Sequence, residues 1–432
     1  MKTQEKLLDY INTLKIIDTH EHLPREKDRP PKADVLDEWL THYFSCDLIS
    51  AGMSDADLAN ARDSKQDLRR RWDLVEPYWR AAQSTGYGRA LALAARDLYG
   101  IEAVNRDTIL KLNDAFCAAR EKGGHYEYVL RKKSGIALSI VDFGMPKLTE
   151  KDDPHFVSTL RVDPFLMPSH VRDLRTQGGE VGIKVHTLED WEEVARRQVE
   201  KAFQPGSRTV CLKAGVAYLR SLRFDKTTRA DAERAFYELF TDRTLPDWRP
   251  ALRSGPALEN YMMHVVCRLA DARGLPFQIH TGLQEGNGNI IYDSNPALLS
   301  NLFLEYRDVR FDIFHMGYPY TGELSNLAKN FRNVNIDMCW GHIISPEAAR
   351  RALVEWLDAV PANKISAFGG DYCFVDGVYG HQKLARQNVA MALAAKVEDG
   401  SFDFDRAREI AGWLFVDNPT RIFGLKKLVP AK

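Results

Sequence analysis

A handful of widely separated positions have side chains suited to one shared task. Near the N-terminus, Ile17-Asp18-Thr19-His20-Glu21-His22 sets two imidazoles two residues apart. Side chains alternate along an extended strand, so His20 and His22 project to one side while Glu21 points away. Two neutral imidazoles converging at a strand end make half of a transition-metal site. The other half is available in His280, His315 and Asp371, each at or just beyond the end of a short apolar run, and Lys213 ends another such run. Histidines joined by an aspartate suit Zn²⁺ or a similar borderline cation that keeps one position open for water. Such a metal lowers the pKa of bound water to about 7, and a neighbouring carboxylate can take and return the proton. The chemistry requires that these strand ends meet.

The elements that would bring them together can be read in order. Residues 4–14 form a first helix, and 15–19 a short apolar strand that ends at the histidine pair. From 24 to 134 strand patterning is nearly absent. The breaker run Asp28-Arg29-Pro30-Pro31 opens this stretch. Apolar residues then recur at helical spacing, as Leu36, Trp39, Leu40, Tyr43 and Phe44, then Leu68, Trp72, Val75 and Trp79. With further helices at 87–99 and 106–122, the stretch reads as a helical insertion after strand one. Beyond Ile136, strands at 137–143, 157–162, 209–213, 276–280, 310–315, 334–339 and 364–368 alternate with helices. One helix opens on Thr187-Leu-Glu-Asp190, which fits a capping box, and another stops at Gly274. Eight short strands, apolar on both faces, predict a parallel sheet. Closed into a ring, they make a (β/α)₈ TIM barrel with its active site at the C-terminal strand ends. The expected organisation is one barrel domain over residues 1–432, insertion included. An open doubly wound sheet would bring a glycine fingerprint for a nucleotide; Gly286-Asn287-Gly288 begins one, but Ile290 and Ile291 interrupt it.

Composition narrows the class. A hydrophobic share of 44% and a charged share of 28% are ordinary for a globular enzyme. Lys plus Arg at 59 against Asp plus Glu at 60 leaves a net charge of −1. That balance offers no general attraction for nucleic acid or an acidic membrane surface. No apolar run reaches the roughly 18 residues of a spanning helix. The first residues, MKTQEKLLDYINTL, read as a polar amphipathic helix and not a signal peptide. Cys46, Cys117, Cys211, Cys267, Cys339 and Cys373 are scattered without a C-x-x-C pair, so a reducing, cytoplasmic setting is expected. The expected partner is a small-molecule substrate.

Several motifs resemble a known family. Gln278-Ile-His-Thr-Gly282, His315-Met-Gly-Tyr-Pro319 and Phe368-Gly-Gly-Asp-Tyr372 are similar to segments of the metal-dependent amidohydrolase superfamily. The likeness is to the amidohydrolase domain fused to glutamine-synthetase-like modules in fungal and plant proteins. Lys213-Ala-Gly-Val-Ala-Tyr218, followed by Leu219-Arg220, resembles that group's strand-four segment. The insertion, with His42-Tyr43, is instead similar to uronate isomerases, distant members of the same superfamily. The resemblance implies that His20 and His22 are the strand-one metal ligands and His280 the strand-five ligand. It makes Asp371 the strand-eight aspartate that binds metal and serves as general base and acid. His315 matches a strand-six histidine that binds a second metal or polarises the substrate carbonyl. In binuclear members a carbamylated strand-four lysine bridges two metals, and Lys213 stands where that would occur; a substrate carboxylate clamp and a snorkelling barrel lysine are the alternatives. The implied cofactor is one or two divalent ions, Zn²⁺ first and Mn²⁺ second.

Substrate contacts are expected from Tyr218 and Arg220, since arginine suits bidentate carboxylate recognition; a surface salt bridge is the competing role for Arg220. Trp340 and His342 follow strand seven at the catalytic face, and Tyr379 and His381 fall in what reads as the loop after strand eight. The glycine-rich stretch 282–288 can cover the mouth and bring Glu285 or Asn287 to substrate. His42, His125, His155, His170, His186 and His264 lack a supporting constellation and read as surface or core residues. The expected reaction is hydrolysis of a C–N or C–O bond in a small, carboxylate-bearing substrate, with Asp371 as proton shuttle and His315 or a second metal at the oxyanion. Decarboxylation and uronate isomerisation on the same site are the alternatives. Against the isomerase, Asp371 is followed by Tyr372-Cys373 where that family has Ser-Arg, and His315 departs from its pattern. A non-catalytic binding barrel is a third reading, disfavoured by the full set of strand-end ligands. A homo-oligomer with the insertion at a subunit contact is also expected.

Overall fold

A computed structural model of the chain describes residues 2–142, 148, 153–241 and 256–428. Helix α1 (Thr3–Thr13) leads into β1 (Ile16–Glu21). Six helices come before the next strand: α2 (Val35–Trp39), α3 (Phe44–Ser50), α4 (Asp55–Arg62), α5 (Leu68–Ala82), α6 (Gly86–Tyr99) and α7 (Ile109–Lys122). Strands and helices then alternate through β2 (Ile136–Val141), β3 (Phe156–Arg161), α8 (Asp163–Leu166), α9 (Val171–Glu180), α10 (Leu188–Ala202) and β4 (Thr209–Ala214). Next come α11 (Arg229–Thr241), α12 (Pro256–Arg273), β5 (Pro276–Ile279), α13 (Ser300–Glu305), β6 (Arg310–Ile313), α14 (Thr321–Asn330) and β7 (Val334–Asp337). The chain ends with α15 (Gly341–Ile344), α16 (Pro346–Ala359), β8 (Ile365–Ser366), α17 (Val375–Glu398), α18 (Phe404–Gly412) and α19 (Asn418–Ile422).

The strands form one sheet in the order β1 to β8, and every neighbouring pair is parallel. The segment after β8 closes the ring onto β1, through Thr19 N–H to the Phe368 carbonyl at 3.1 Å and Asp371 N–H to the His20 carbonyl at 2.8 Å. All eight expected strands are present, with ends moved by a residue or more. The eighth is the shortest, at two residues, because its continuation bends into the loop that carries Asp371. Residue 143, the expected end of strand two, lies outside the described residues.

Alternation along the strands sorts the barrel interior by height. Leu138, Ile140, Val157 and Cys211 form an apolar cluster with Ile17, sealed from below by Ile422, Phe423 and Leu425. The same side of each strand continues upward, at two-residue steps, to Asp142, Arg161 and Lys213. A greasy floor therefore passes into a charged mouth.

The residues between β1 and β2 pack as helices against the long α17. Contact is close where Gly380 of α17 meets α6, since a Cβ there would lie 2.0 Å from the Ala90 carbonyl oxygen. A buried carboxylate ties the two parts together: Asp376 accepts from Trp39 Nε1 at 2.9 Å and from Tyr99 Oη at 2.8 Å, and lies 3.2 Å from His125 Nε2. Among the described residues no helix is long and apolar enough to cross a membrane. All six cysteines are free thiols.

Candidate metal and substrate site

Asp371 organises the mouth. It sits at φ +58°, in the left-handed region, which costs a non-glycine residue about 1–3 kcal/mol and persists only when its surroundings hold it. Strand β1 does the holding. Besides the bond to the His20 carbonyl, the peptides flanking Asp371 are captured by two carboxylates: Gly370 N–H donates to Asp18 Oδ1 at 3.0 Å and Tyr372 N–H to Glu21 Oε2 at 2.9 Å. From the other side His381 Nδ1 donates to the Gly370 carbonyl at 3.0 Å. The two glycines before Asp371 follow from this threading. A Cβ on Gly369 would lie 2.5 Å from Thr19 Oγ1, and one on Gly370 only 1.8 Å from Glu21 Oε1. Glu21, turned away from the histidines, thus shapes the loop that brings in the aspartate. His315, Met316 and Trp340 also have positive φ, so left-handed backbone recurs after β6, β7 and β8.

The strand-end donors gather around the two oxygens of Asp371. Oδ1 lies 3.6 Å from His20 Nε2 and 3.3 Å from His22 Nε2. Oδ2 lies 3.9 Å from His315 Nε2 and accepts from Tyr43 Oη at 2.6 Å. Backbone carbonyls select the tautomers, because a carbonyl only accepts. His22 Nδ1 donates to Asp142 O at 3.3 Å, His315 Nδ1 to Cys339 O at 3.1 Å and His280 Nε2 to Leu283 O at 2.9 Å. In the neutral His280 and His315 rings the remaining nitrogen is a bare lone pair, whereas burial disfavours a charged His22 but the hydrogen bond and charge of Asp371 outweigh it and raise its pKa. The two bare nitrogens, His315 Nε2 and His280 Nδ1, face each other at 2.9 Å, which is stable only with a proton or a metal cation between them. Among the described residues, both nitrogens of the fully buried His20 have no hydrogen-bond partner. Unsatisfied lone pairs converging on a carboxylate are a donor set that fits a divalent cation. His20, His22 and Asp371 form one group with mutually close ligand atoms, and His315, Cys339 and Asp371 a second.

Electrostatics agree with that fit. Burial, with Lys213 nearby, holds His20 well below its ordinary value, and burial beside His315 and Lys213 does the same to His280. Burial pushes His315 down to about 4. These rings are neutral lone-pair donors at neutral pH. Burial disfavours the charged form of Asp371, but the His22 hydrogen bond and the neighbouring imidazoles outweigh it and hold the carboxyl well below its usual range. Burial and then the Asp371 charge keep the Tyr43 phenol protonated, as a donor to Asp371 must be.

Beside these donors lies a cavity of about 340 Å³ lined by His22, His42, Tyr43, Arg161, Lys213, Gly215, Tyr218, His280, Glu285 and Asp371. Of the residues singled out from sequence, Tyr218 lines it, with its ring 4.7 Å from that of His280. Glu285 also lines it. Other expectations need correcting. Arg220 does not line the cavity: its guanidinium is spent on Glu259 at 2.8 Å, Asn260 at 2.8 Å and the Arg223 carbonyl at 2.7 Å. Trp340 is buried behind the site, stacked on Tyr43 at 4.5 Å and edge-on to His315 at 5.1 Å, so it supports the cluster from outside the cavity. His342 is a buried strut between the Ala367 carbonyl and Asn388. Tyr379 and His381 lie on α17, not on a loop, and Tyr379 bonds to Asp97. Asn287 reaches the Cys46 carbonyl instead of the cavity. The structure brings Lys213 to the cavity wall with its Nζ 3.6 Å from the centre of the Phe314 ring.

Three cavity residues escaped the sequence reading. Arg161 ends β3 as Lys213 ends β4, so the rule that selected Lys213 applied equally to it. His42 and Tyr43 had only their likeness to another family's insertion to mark them, and no spacing links them to Asp371. Burial pushes His42 down to about 4, leaving a neutral ring at the mouth.

Comparison with known proteins follows the geometry. The profile of the amidohydrolase family Amidohydro_2 matches residues 211–425. Protein fluG of Emericella nidulans is 28% identical over 159 residues, 36% of this chain and 18% of that protein. A uronate isomerase of Cutibacterium acnes is 29% identical over 106 residues, 24% of this chain and 23% of the relative. The matched segments thus span less than a quarter of either curated relative. Among solved structures, glucuronate isomerase of Caulobacter crescentus superposes with a TM-score of 0.77 at 17% identity, covering 98% of this chain and 94% of the other. Uronate isomerase of Thermotoga maritima gives 0.76 at 14% identity, with 98% and 97% covered. A Lactobacillus casei protein provisionally described as a metal-dependent hydrolase gives 0.68 at 18% identity, with 98% and 99% covered. By its family profile, its barrel and the motifs that build the mouth, the chain is a member of the amidohydrolase superfamily.

Proposed function

We propose that the protein is a metal-dependent hydrolase acting on a C–N or C–O bond of a small substrate. One observation carries this reading: five strand-end side chains converge, with both His20 nitrogens unpartnered among the described residues and His280 and His315 facing each other nitrogen to nitrogen. His20, His22 and Asp371 would hold one divalent ion, with His280 and His315 completing the site or holding a second. Zn²⁺ suits this nitrogen and oxygen donor set, and Mn²⁺ is the alternative. When bound, the ion supplies Lewis acidity and an activated water at neutral pH. Asp371 accepts the proton of the attacking water and returns it to the leaving group. Tyr43 keeps the Asp371 Oδ2 lone pairs oriented by donating to them. The oxyanion formed from the substrate carbonyl would be stabilised by His315 or by a second ion. Metal analysis with turnover of an amide and ester panel tests this: Asp371→Asn should cut turnover at least a hundredfold, and unchanged turnover with unchanged metal content refutes it.

A second reading, aldose–ketose isomerisation of a sugar acid, is favoured by a specific feature. His42 and Tyr43 enter the cavity from the insertion, the part of the chain whose sequence resembles uronate isomerases. Product analysis on uronates, together with CO₂ release from unsaturated acids, separates isomerase and decarboxylase from hydrolase. The six free thiols support a reducing, cytoplasmic setting as part of the proposal.

A further inference from the structure

Arg161 and Lys213 are register partners on the adjacent parallel strands β3 and β4. Both stand on the interior side that carries Val157 and Cys211 lower down, so both reach the cavity wall. Their hydrogen-bonding states differ. Arg161 is braced, with Nε on Asp142 Oδ2 at 3.0 Å, Nη2 on the same oxygen and Nη1 on Asp163 Oδ2 at 3.0 Å. Among the described residues that leaves two of its five N–H groups without a protein acceptor. Lys213 is 2% exposed, and among the described residues its ammonium has no hydrogen bond or ion pair, only the face of Phe314. A buried ammonium with three unused donors is costly unless something in the cavity accepts from it. This wall therefore offers only donors, and it wants an acceptor-rich group. Asp142 and Asp163 both brace Arg161, whereas among the described residues no carboxylate lies within ion-pair distance of the Lys213 ammonium, so a carboxylate in the cavity would be its direct partner.

We propose that unmodified Lys213, assisted by the free N–H groups of Arg161, seats a monoanionic carboxylate of the substrate on the β3–β4 wall. The inference deepens the metal-hydrolase reading, since a carboxylate anchored there holds the rest of a small molecule beside Asp371. It also moves substrate recognition from Arg220, which is spent elsewhere, to the preceding strand end.

The test reads binding, not turnover, in metal-loaded protein titrated calorimetrically with butyrate and with its isosteric neutral amide, butyramide. Wild type should bind butyrate at least tenfold tighter than butyramide. Lys213→Met should erase that preference, and Lys213→Arg should keep most of it. Equal binding of the two probes by wild type overturns the proposal, as does a butyrate preference that survives in Lys213→Met, which would place the carboxylate on the metal. An intact-mass measurement in bicarbonate buffer that finds a CO₂ adduct on Lys213 overturns it as well. If Lys213→Met does not fold, the wild-type probe pair and the mass measurement decide. Failure of the seat leaves the Asp371 result untouched, and failure of the hydrolase reading leaves this titration valid.

Discussion

Gly370→Ala is the sharpest test of how the barrel presents its aspartate. The new methyl would lie 1.8 Å from Glu21 Oε1 and 2.6 Å from its Cδ, so it needs about 1.6 Å of movement to reach an ordinary 3.4 Å contact. Glu21 is fully buried and accepts the Tyr372 N–H, leaving it no free rotamer. Either the carboxyl abandons Tyr372, stranding a buried N–H at a cost of about 1–3 kcal/mol, or the loop shifts. Overpacking adds about 1–3 kcal/mol, so the expected loss of stability is about 2–6 kcal/mol. A displacement of this size also pulls Asp371 from His20 and His22, and metal content should fall below half. Urea unfolding and elemental analysis of the purified variant read both effects. Glu21→Ala removes the colliding atoms but also the Tyr372 acceptor, so in the Gly370→Ala background it should recover only the overpacking share of about 1–3 kcal/mol, a positive coupling. Gly370→Ala with full metal and stability within about 1 kcal/mol of wild type, or a strictly additive double variant, would show that the threading of Glu21 beneath the loop does not position Asp371.

Other outcomes follow from single contacts. Tyr43→Phe keeps the stack on Trp340 and removes only the donor to Asp371, so kcat should fall about 10- to 150-fold, the equivalent of one charge-assisted bond, at unchanged metal content; an unchanged kcat would remove Tyr43 from the machinery. Asp376→Ala breaks the buried tie between the insertion and α17 and should cost about 3–5 kcal/mol, seen as proteolysis within 24–134 before the barrel is cut. Burial opposes the Asp376 charge, yet the His125, Trp39 and Tyr99 bonds prevail and hold its pKa below the ordinary value. Its stabilisation is therefore complete at neutral pH and is lost only as pH falls below the usual carboxylate range, and an insertion that loosens between pH 6 and 8 would contradict this. Arg220→Met should lower stability while leaving KM unchanged, because its guanidinium faces Glu259 and Asn260; a raised KM would restore it to the substrate site.

The sequence by itself settled what depends on short-range pattern. Short runs apolar on both faces, alternating with helices, marked all eight strands, and a parallel ring then dictates that residues at their C-terminal ends converge. His20, His22, His280, His315 and Asp371 were legible on that ground, and Lys213 with them. Helix limits followed local chemistry, as at Thr187–Asp190, where the capping box forms, and at Gly274. Tertiary structure decided what depends on partners distant in the chain. Arg220 and Arg161 look alike in sequence, but Glu259 and Asn260, about forty residues on, occupy one, while β3–β4 register sets the other beside Lys213. His342 and His381 stand near the mouth in sequence and became buried struts because carbonyls of the β8 segment claimed them. His42 and Tyr43 reached Asp371 only because the insertion folds back on α17, a docking fixed by Gly380, Trp39 and Asp376 and invisible to any local pattern.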